Sequence, residues 1–358
     1  MSSRFFDPKL RRLEPYVPGE QPANMAEFIK LNANENPFPP SPKAAEALTK
    51  SVTDGLRLYP DAACNRLVAA LAETCGVQTN QVIPANGSDE LLAFCFHGLC
   101  PKGAVFADIT YSFYPVFADM FGVPYEIVPL HEDFTIHVED YAGKQGTVFL
   151  ANPNAPSGLC LPLSEIEVLL QQDPDRLVVV DEAYVDFGAE SAIALVDRYD
   201  NLLVTQTFSK SRQLAGGRLA FAVGNAELIG DMNAMKFSFN PFNVDAIAMT
   251  MGEAILRDAA YFEDCRRKII DNRAYTAQEL KALGFMMTDS MTNFVFAKPP
   301  VGLSAPEYQA ALREYKILIR YFSAPRVCDY VRITIGTRED MEALVAATKE
   351  ILNRRAAQ

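Results

Sequence analysis

Lys210 stands among side chains that suit one kind of chemistry. Residues 205–218 read Thr-Gln-Thr-Phe-Ser-Lys-Ser-Arg-Gln-Leu-Ala-Gly-Gly-Arg and follow a short apolar run. The stretch crowds Thr207, Ser209, Lys210 and Arg218 together. A lysine amine forms a Schiff base with an aldehyde, while hydroxyls and a guanidinium hold phosphate. Those are the needs of a phosphate-bearing aldehyde cofactor. Upstream, Asp181 closes a second apolar run, Leu-Val-Val-Val-Asp. A carboxylate there can keep a ring nitrogen protonated.

These residues need a frame to bring them together. Apolar runs at residues 81–84, 104–107, 147–151, 177–180, 202–205 and 219–223 read as short strands separated by helical segments. That is the pattern of a mostly parallel sheet buried on both faces. In such a sheet ligands gather beyond the carboxyl ends of the strands. Ser41-Pro42 starts a helix, with Ser as cap and Pro in the first turn, and residues 64–75 read as another. From Val244 to about Ala282 a single long helical pattern runs, followed by strands at 293–297 and 330–335 and a last helix over 338–354. The expected organisation is an irregular N-terminal segment (1–41), a large cofactor-binding domain (42–245) with a seven-stranded type of sheet, and a small α+β domain (246–358) on which the N-terminal segment packs.

Composition narrows the partners. The chain has 358 residues and a net charge of −12, which disfavours nucleic acid and anionic membranes, both of which need clustered Lys and Arg. Seven cysteines form no C-x-x-C pair, and the three histidines (His97, His131, His137) lack metal-ligand spacing, so neither a disulfide framework nor a metal site is expected. No signal peptide and no apolar run long enough for a membrane span is apparent. The expectation is a cytoplasmic enzyme acting on small molecules.

Four further motifs fall at strand ends. Asn86-Gly-Ser-Asp-Glu90 opens a helix, and the free N–H groups around Gly87 and Ser88 can bind phosphate. Tyr111 can stack on a cofactor ring. Asn152-Pro-Asn-Ala-Pro-Ser-Gly158 forms a stiff turn. Asp181-Glu-Ala-Tyr184 pairs a carboxylate for the ring nitrogen with a phenol for the ring oxygen. Each has a plainer reading alone, as helix cap, core aromatic or Pro/Gly turn. In this order before Ser209-Lys210, they read together as a pyridoxal phosphate (PLP) site.

The chain resembles the fold-type-I PLP aminotransferases and, within them, the histidinol-phosphate aminotransferase family. The likeness spans nearly the whole chain. It includes Pro15-Tyr16, Leu31-Asn-Ala-Asn-Glu-Asn-Pro37, Tyr59-Pro-Asp61, Asn86-Gly-Ser-Asp-Glu90, Asp181-Glu-Ala-Tyr184, Ser209-Lys210, Arg218, Ile319-Arg-Tyr-Phe322 and Val331-Arg-Ile-Thr-Ile-Gly-Thr337. The resemblance implies that Lys210 carries the cofactor and shuttles the proton. Thr207, Ser209, Arg218, Gly87 and Ser88 hold the phosphate, and Tyr111 covers the ring. Tyr59 reaches the cofactor phosphate of a neighbouring subunit, so the active unit is a homodimer. Arg332 clamps a substrate carboxylate, while Tyr16 and Arg320 meet the substrate phosphate. Two departures stand out. Ala155 replaces an Asn that would meet the ring oxygen, leaving that contact to Asn154 or Asn152. Phe242 replaces a Tyr near the substrate phosphate.

The implied reaction is a ping-pong transamination between L-histidinol phosphate and 2-oxoglutarate in histidine biosynthesis. An aromatic amino acid aminotransferase and a threonine-phosphate decarboxylase would need the same Lys210 and Asp181 apparatus. A PLP-binding regulator would carry a DNA-binding segment for which the chain has no spare N-terminal domain. An NAD-type enzyme would need a G-x-G-x-x-G after a strand, which is missing.

Overall fold

The computed structural model describes residues 4–7, 9, 10, 13 and 19–357. Its strands are β1 (Ile29–Leu31), β2 (Val82–Ala85), β3 (Ala104–Ala107), β4 (Tyr125–Val128), β5 (Thr147–Ala151), β6 (Val178–Asp181), β7 (Leu202–Thr207), β8 (Ala220–Gly224), β9 (Met286–Met287), β10 (Phe294–Lys298), β11 (Ile317–Tyr321) and β12 (Val331–Thr334). The helices are α1 (Pro42–Ala47), α2 (Lys50–Gly55), α3 (Asn65–Cys75), α4 (Ser88–Gly98), α5 (Phe113–Phe121), α6 (Leu163–Gln172), α7 (Ala226–Phe239), α8 (Ala246–Leu256), α9 (Ala259–Ala282), α10 (Ala305–Glu314) and α11 (Arg338–Ala356).

Seven strands form one sheet in the order β2-β8-β7-β6-β5-β3-β4. All neighbours from β7 to β4 pair parallel, while β8 runs antiparallel to both β7 and β2. The fully apolar runs follow from burial on both faces. In β5, Val148 and Leu150 join one core with α3, α6 and α8, whereas Phe149 and Ala151 join another with α4, α5 and α7. The six runs read from the sequence are all strands of this sheet. The seventh, β4, was not expected. It is an edge strand with exposed Tyr125 and Ile127, so its sequence, Tyr-Glu-Ile-Val, lacks the apolar continuity of a buried strand.

The second sheet has five strands in the order β1-β11-β12-β10-β9. Its core holds Ile269, Phe285, Val295, Ile319, Ile333 and Leu344 among others. The proline-rich N-terminal region, read as irregular, supplies β1, which pairs parallel with β11. Three residues are too few to show a period, and only pairing makes them a strand.

The long helical pattern after Val244 is two helices, not one. α8 stops at Leu256 and α9 begins at Ala259. Between them, the Asp258 carboxylate accepts hydrogen bonds from Ser41 Oγ and Lys43 Nζ. The break lets each helix serve a different core: Ala248 and Ile255 pack under the larger sheet, and Ile269 and Leu280 under the smaller. Ser41 also caps α1 by accepting from the Lys43 amide at 3.2 Å. Among the described residues no helix is long and apolar enough to cross a membrane, no metal-binding cluster occurs, and all seven cysteines are free.

Candidate active site

One end of the larger sheet collects the chemistry. The parallel strands β2, β3, β5, β6 and β7 point their carboxyl ends there, and β8, running the other way, begins there. Asn86 therefore follows β2, Asp108 follows β3, Asn152 follows β5, Asp181 ends β6, Thr207 ends β7 and Arg218 precedes β8. A cavity of about 240 Å³ opens at this edge, lined by Ser88, Asp89, Tyr111, Asp181, Tyr184, Thr207, Ser209, Lys210 and Arg218 with Ala33 and Glu35 of the N-terminal region. A larger cavity of about 360 Å³ lies at the opposite ends of the strands, around Lys102, Asp173 and Arg176. It brings together none of these groups.

Asp181 is buried, and its carboxylate accepts from Tyr114 Oη at 3.0 Å and Thr205 Oγ1 at 3.5 Å. Among the described residues it has no ion-pair partner. Burial is the main reason its carboxyl is pushed up to about 6, because a low-dielectric site disfavours the charged form. A protonated ring nitrogen placed against it would supply the missing positive charge.

The phosphate side is equally specific. Gly87 has φ +80°, and a Cβ there would come within 2.5 Å of Arg218 Nη2. Only glycine lets the arginine lie across the turn that starts α4, where free N–H groups gather. Arg218 Nη2 pairs with Asp89 Oδ2 at 3.3 Å, and Asp89 Oδ1 accepts from Tyr111 Oη at 2.7 Å. Asp89 thus orients both the arginine and the aromatic. Tyr111 is also flanked by Phe113 and Tyr114, and burial holds its phenol far above the ordinary range. Thr207 Oγ1 donates to Ser209 Oγ at 3.0 Å and accepts from the Ser209 amide at 3.1 Å, which places two hydroxyls side by side. The Lys210 Nζ lies 5.8 Å from the centroid of the Tyr184 ring.

The residues present fit PLP. A buried carboxylate without a cation, a glycine turn under an arginine, paired hydroxyls and a lysine face one cavity of suitable size.

Asn154 does not join them. Ala151, Pro153 and Ala155 line the cavity at alternate positions, and the intervening asparagines turn away. Asn154 Nδ2 donates to Ile109 O at 2.9 Å and to Ser157 Oγ at 3.1 Å. Asn152 exchanges two hydrogen bonds with the Leu161 backbone. Neither asparagine faces the cavity to replace the contact that Ala155 leaves out, whereas Tyr184 does line it.

Three other expected residues stand apart from the cavity. Tyr59 is 82% exposed and stacks on Phe242 at 4.5 Å. Arg332 Nη2 donates to Asn32 O at 3.4 Å, next to the cavity-lining Ala33. Arg320 is its Cα partner across the β11–β12 pair. Tyr16 lies outside the described residues.

The structure also brings in residues that the sequence reading passed over. Asn34 Nδ2 donates to Tyr184 Oη at 2.9 Å, its amide donates to Thr334 Oγ1 at 2.9 Å, and its carbonyl accepts from Asn293 Nδ2. Asn36 Nδ2 donates to the Lys210 carbonyl at 2.9 Å. The N-terminal strap thereby fixes the tyrosine and the lysine. Tyr114, one helical turn after Tyr111, could have been found as its helix-face neighbour.

Comparison with known proteins agrees with this geometry. Residues 26–347 match the family described as aminotransferase class I and II. The histidinol-phosphate aminotransferase of Pseudomonas putida is 51% identical, covering 96% of this chain and 99% of its own length. The enzyme of the same name from Marinomonas sp. is 48% identical over 98% of this chain and 100% of its own. Among solved structures, histidinol-phosphate aminotransferase from Sinorhizobium meliloti, in complex with pyridoxal-5'-phosphate, shares the fold with a TM-score of 0.86 at 24% identity, covering 99% of each chain. The chain belongs to the class I and II aminotransferases, a family of PLP-dependent enzymes.

Proposed function

We propose that this protein is a histidinol-phosphate aminotransferase, moving an amino group between L-histidinol phosphate and 2-oxoglutarate in histidine biosynthesis. The observation that carries the reading is Arg332, bonded to the Asn32 carbonyl next to the cavity-lining Ala33, with Arg320 as its partner across the β11–β12 pair. A guanidinium suits a phosphate or carboxylate, which it can grip in a bidentate manner. The names of the relatives at about half identity support the same substrate.

PLP, when bound, supplies an electron sink for the carbanion left as the substrate α-proton departs. Lys210 Nζ would hold the cofactor and, once freed from it, would carry that proton. Asp181 holds a proton on the ring nitrogen through its buried carboxylate. Tyr184 Oη, steadied by Asn34, donates to the ring oxygen. Thr207, Ser209, Arg218 and the amides at Gly87 and Ser88 grip the phosphate. Arg332 takes a carboxylate in the glutamate half, and Arg320, with Tyr16, takes the phosphate in the other.

The active unit in this reading is a homodimer. The exposed Tyr59 on Phe242 faces outward from its own cavity, as a side chain would that serves a neighbouring subunit. We place the junction between large and small domains at Arg257 and Asp258, between α8 and α9, rather than at the expected 245/246, because α8 packs under the larger sheet; the N-terminal strap goes with the small domain. The reading carries with it a cytoplasmic location.

Steady-state rates with L-histidinol phosphate, histidinol, phenylalanine and threonine phosphate test the assignment. The phosphate ester should exceed histidinol in kcat/KM by about 100-fold or more, as expected for a charge-assisted bidentate contact. A preference for phenylalanine would make this an aromatic aminotransferase, and release of CO₂ from threonine phosphate would make it a decarboxylase.

A further inference from the structure

The connection between β11 and β12, residues 322–330, crosses to the larger sheet. From it Arg326 Nη1 pairs with Asp108 Oδ2 at 2.6 Å, and its Nη2 donates to the carbonyls of Leu130 and His131, both at 2.8 Å. Asp108 Oδ1 accepts from the Leu130 amide at 2.8 Å. One guanidinium therefore ties together the two loops that leave β3 and β4. An apolar contact runs alongside: Val327 is buried with Ala107, Leu130, Phe134 and Phe296. Tyr330 stacks on Phe296 at 4.5 Å and meets Phe134 edge-on at 5.3 Å.

The two ends of this latch lead to the two halves of the site. Asp108 and Ile109 begin the loop that carries Tyr111 into the cavity, and Asn154 holds that loop from the other side through Ile109 O. At the far end Phe322 opens the connection. Its ring centroid lies 5.4 Å from the Arg332 guanidinium carbon and 5.8 Å from that of Arg320. Phe322 also packs against the apolar cluster that buries Val327. The arginine pair and the ring-covering tyrosine are thus linked through a single short segment.

We propose that Arg326 is a positioning residue for substrate: by locking the β11–β12 connection onto Asp108, it sets where Arg320 and Arg332 stand relative to the cofactor cavity. The proposal rests on the reading of that arginine pair as the anion site. Arg326 contacts none of the residues that line the cofactor cavity, so its loss should leave cofactor binding alone. Binding of the anionic substrate should suffer, because an anion site displaced by a fraction of an ångström no longer meets a substrate held at the cofactor.

The test measures binding of inorganic phosphate to the PLP-loaded enzyme by calorimetry, with KM and kcat alongside, in wild type, Arg326→Ala, Arg326→Lys and Asp108→Asn. Arg326→Ala should weaken phosphate binding and raise KM by about tenfold, with kcat and PLP affinity within about twofold of wild type. Arg326→Lys should recover part of the loss, because a lysine keeps the charge but lacks the planar fork that spans Asp108 and both carbonyls. Asp108→Asn retains an oxygen for the Leu130 amide and should raise KM in the same direction. It also serves if the alanine variant fails to fold. Adding it to Arg326→Ala should cost nothing further. Unchanged phosphate affinity and KM in Arg326→Ala and Asp108→Asn would overturn the proposal. So would a joint fall in kcat, PLP affinity and melting temperature, which would mark a merely structural role. If wild type bound phosphate through this latch yet failed to turn over histidinol phosphate, the positioning role would stand and the substrate assignment would fall.

Discussion

Arg320 and Arg332 are Cα partners across the antiparallel pair β11–β12, and Phe322 lies within cation–π reach of both. Like charges directly opposite one another on neighbouring strands repel. The ring and the Asn32 carbonyl, which accepts from Arg332, temper that repulsion.

The two half-reactions present different anions: glutamate has two carboxylates, and histidinol phosphate has none. Arg332→Ala should lower kcat/KM for the glutamate half by about 100-fold and for the histidinol phosphate half by clearly less, with Arg320→Ala showing the reverse. Single-turnover rates of the separate halves provide the check. Equal impairment of both halves by Arg332→Ala would show that the arginines do not divide the anions.

Lys210→Ala should abolish turnover, with a loss of about three orders of magnitude or more, because the proton carrier and the cofactor attachment go together. PLP should still bind, through Thr207, Ser209, Arg218 and the Gly87 turn, but without the visible band of the lysine-bound cofactor. Equilibrium dialysis and absorbance together decide this.

Asp181 makes the cofactor-free protein sensitive to pH. Its carboxyl is held at about 6, mainly by burial, against an ordinary value of 3.8. Between those values the folded state keeps a proton that the unfolded chain releases. The stability this gives is full below about pH 4 and is lost as pH rises through about 6, a change of roughly 1–3 kcal/mol. Asp181→Asn should remove that part of the slope, leaving the cofactor-free variant more stable than wild type near pH 7.5. The same variant, loaded with PLP, should lose activity by at least about 100-fold. Urea denaturation at several pH values, with and without cofactor, reads both effects. An identical slope in wild type and variant would contradict the assignment.

Asn34 is the joint between strap, small sheet and cofactor site. It is 1% exposed, has φ +55° and bonds Tyr184, Thr334 and Asn293. Asparagine tolerates that backbone better than most residues. Asn34→Ala should cost about 2–4 kcal/mol, from unpaired buried polar groups and backbone strain. It should also lower kcat, because Tyr184 loses its anchor. Thermal denaturation with and without cofactor, together with kcat, checks both effects.

The cofactor half of the site was legible in the sequence for a physical reason. Strands buried on both faces must be apolar throughout, so each run ends visibly where a polar residue meets the cavity, as at Asp181 and Thr207. Edge and short strands carry no such mark: β4 exposes three of its four residues, and β1 is defined only by its partner β11. Which side chain of the 152–158 turn faces the cavity was not legible, because the turn's path decides it, and it puts Ala155 rather than Asn154 toward the cavity. Arg326 and Asn34 were illegible as functional residues. Their partners lie hundreds of positions away, as with Asp108 and Thr334, and local spacing holds no trace of such contacts. The break at Asp258 was hidden because helical periodicity continues through α8 and α9 while the core each helix faces changes.

The most direct test of the central claim mixes PLP-loaded protein with L-histidinol phosphate alone and follows the visible spectrum in a single turnover. Rapid, stoichiometric loss of the band of the lysine-bound cofactor, restored on adding 2-oxoglutarate, is the expected result. A band that is unmoved by histidinol phosphate but lost with phenylalanine would contradict the proposed substrate while leaving Lys210, Asp181 and their fold in place.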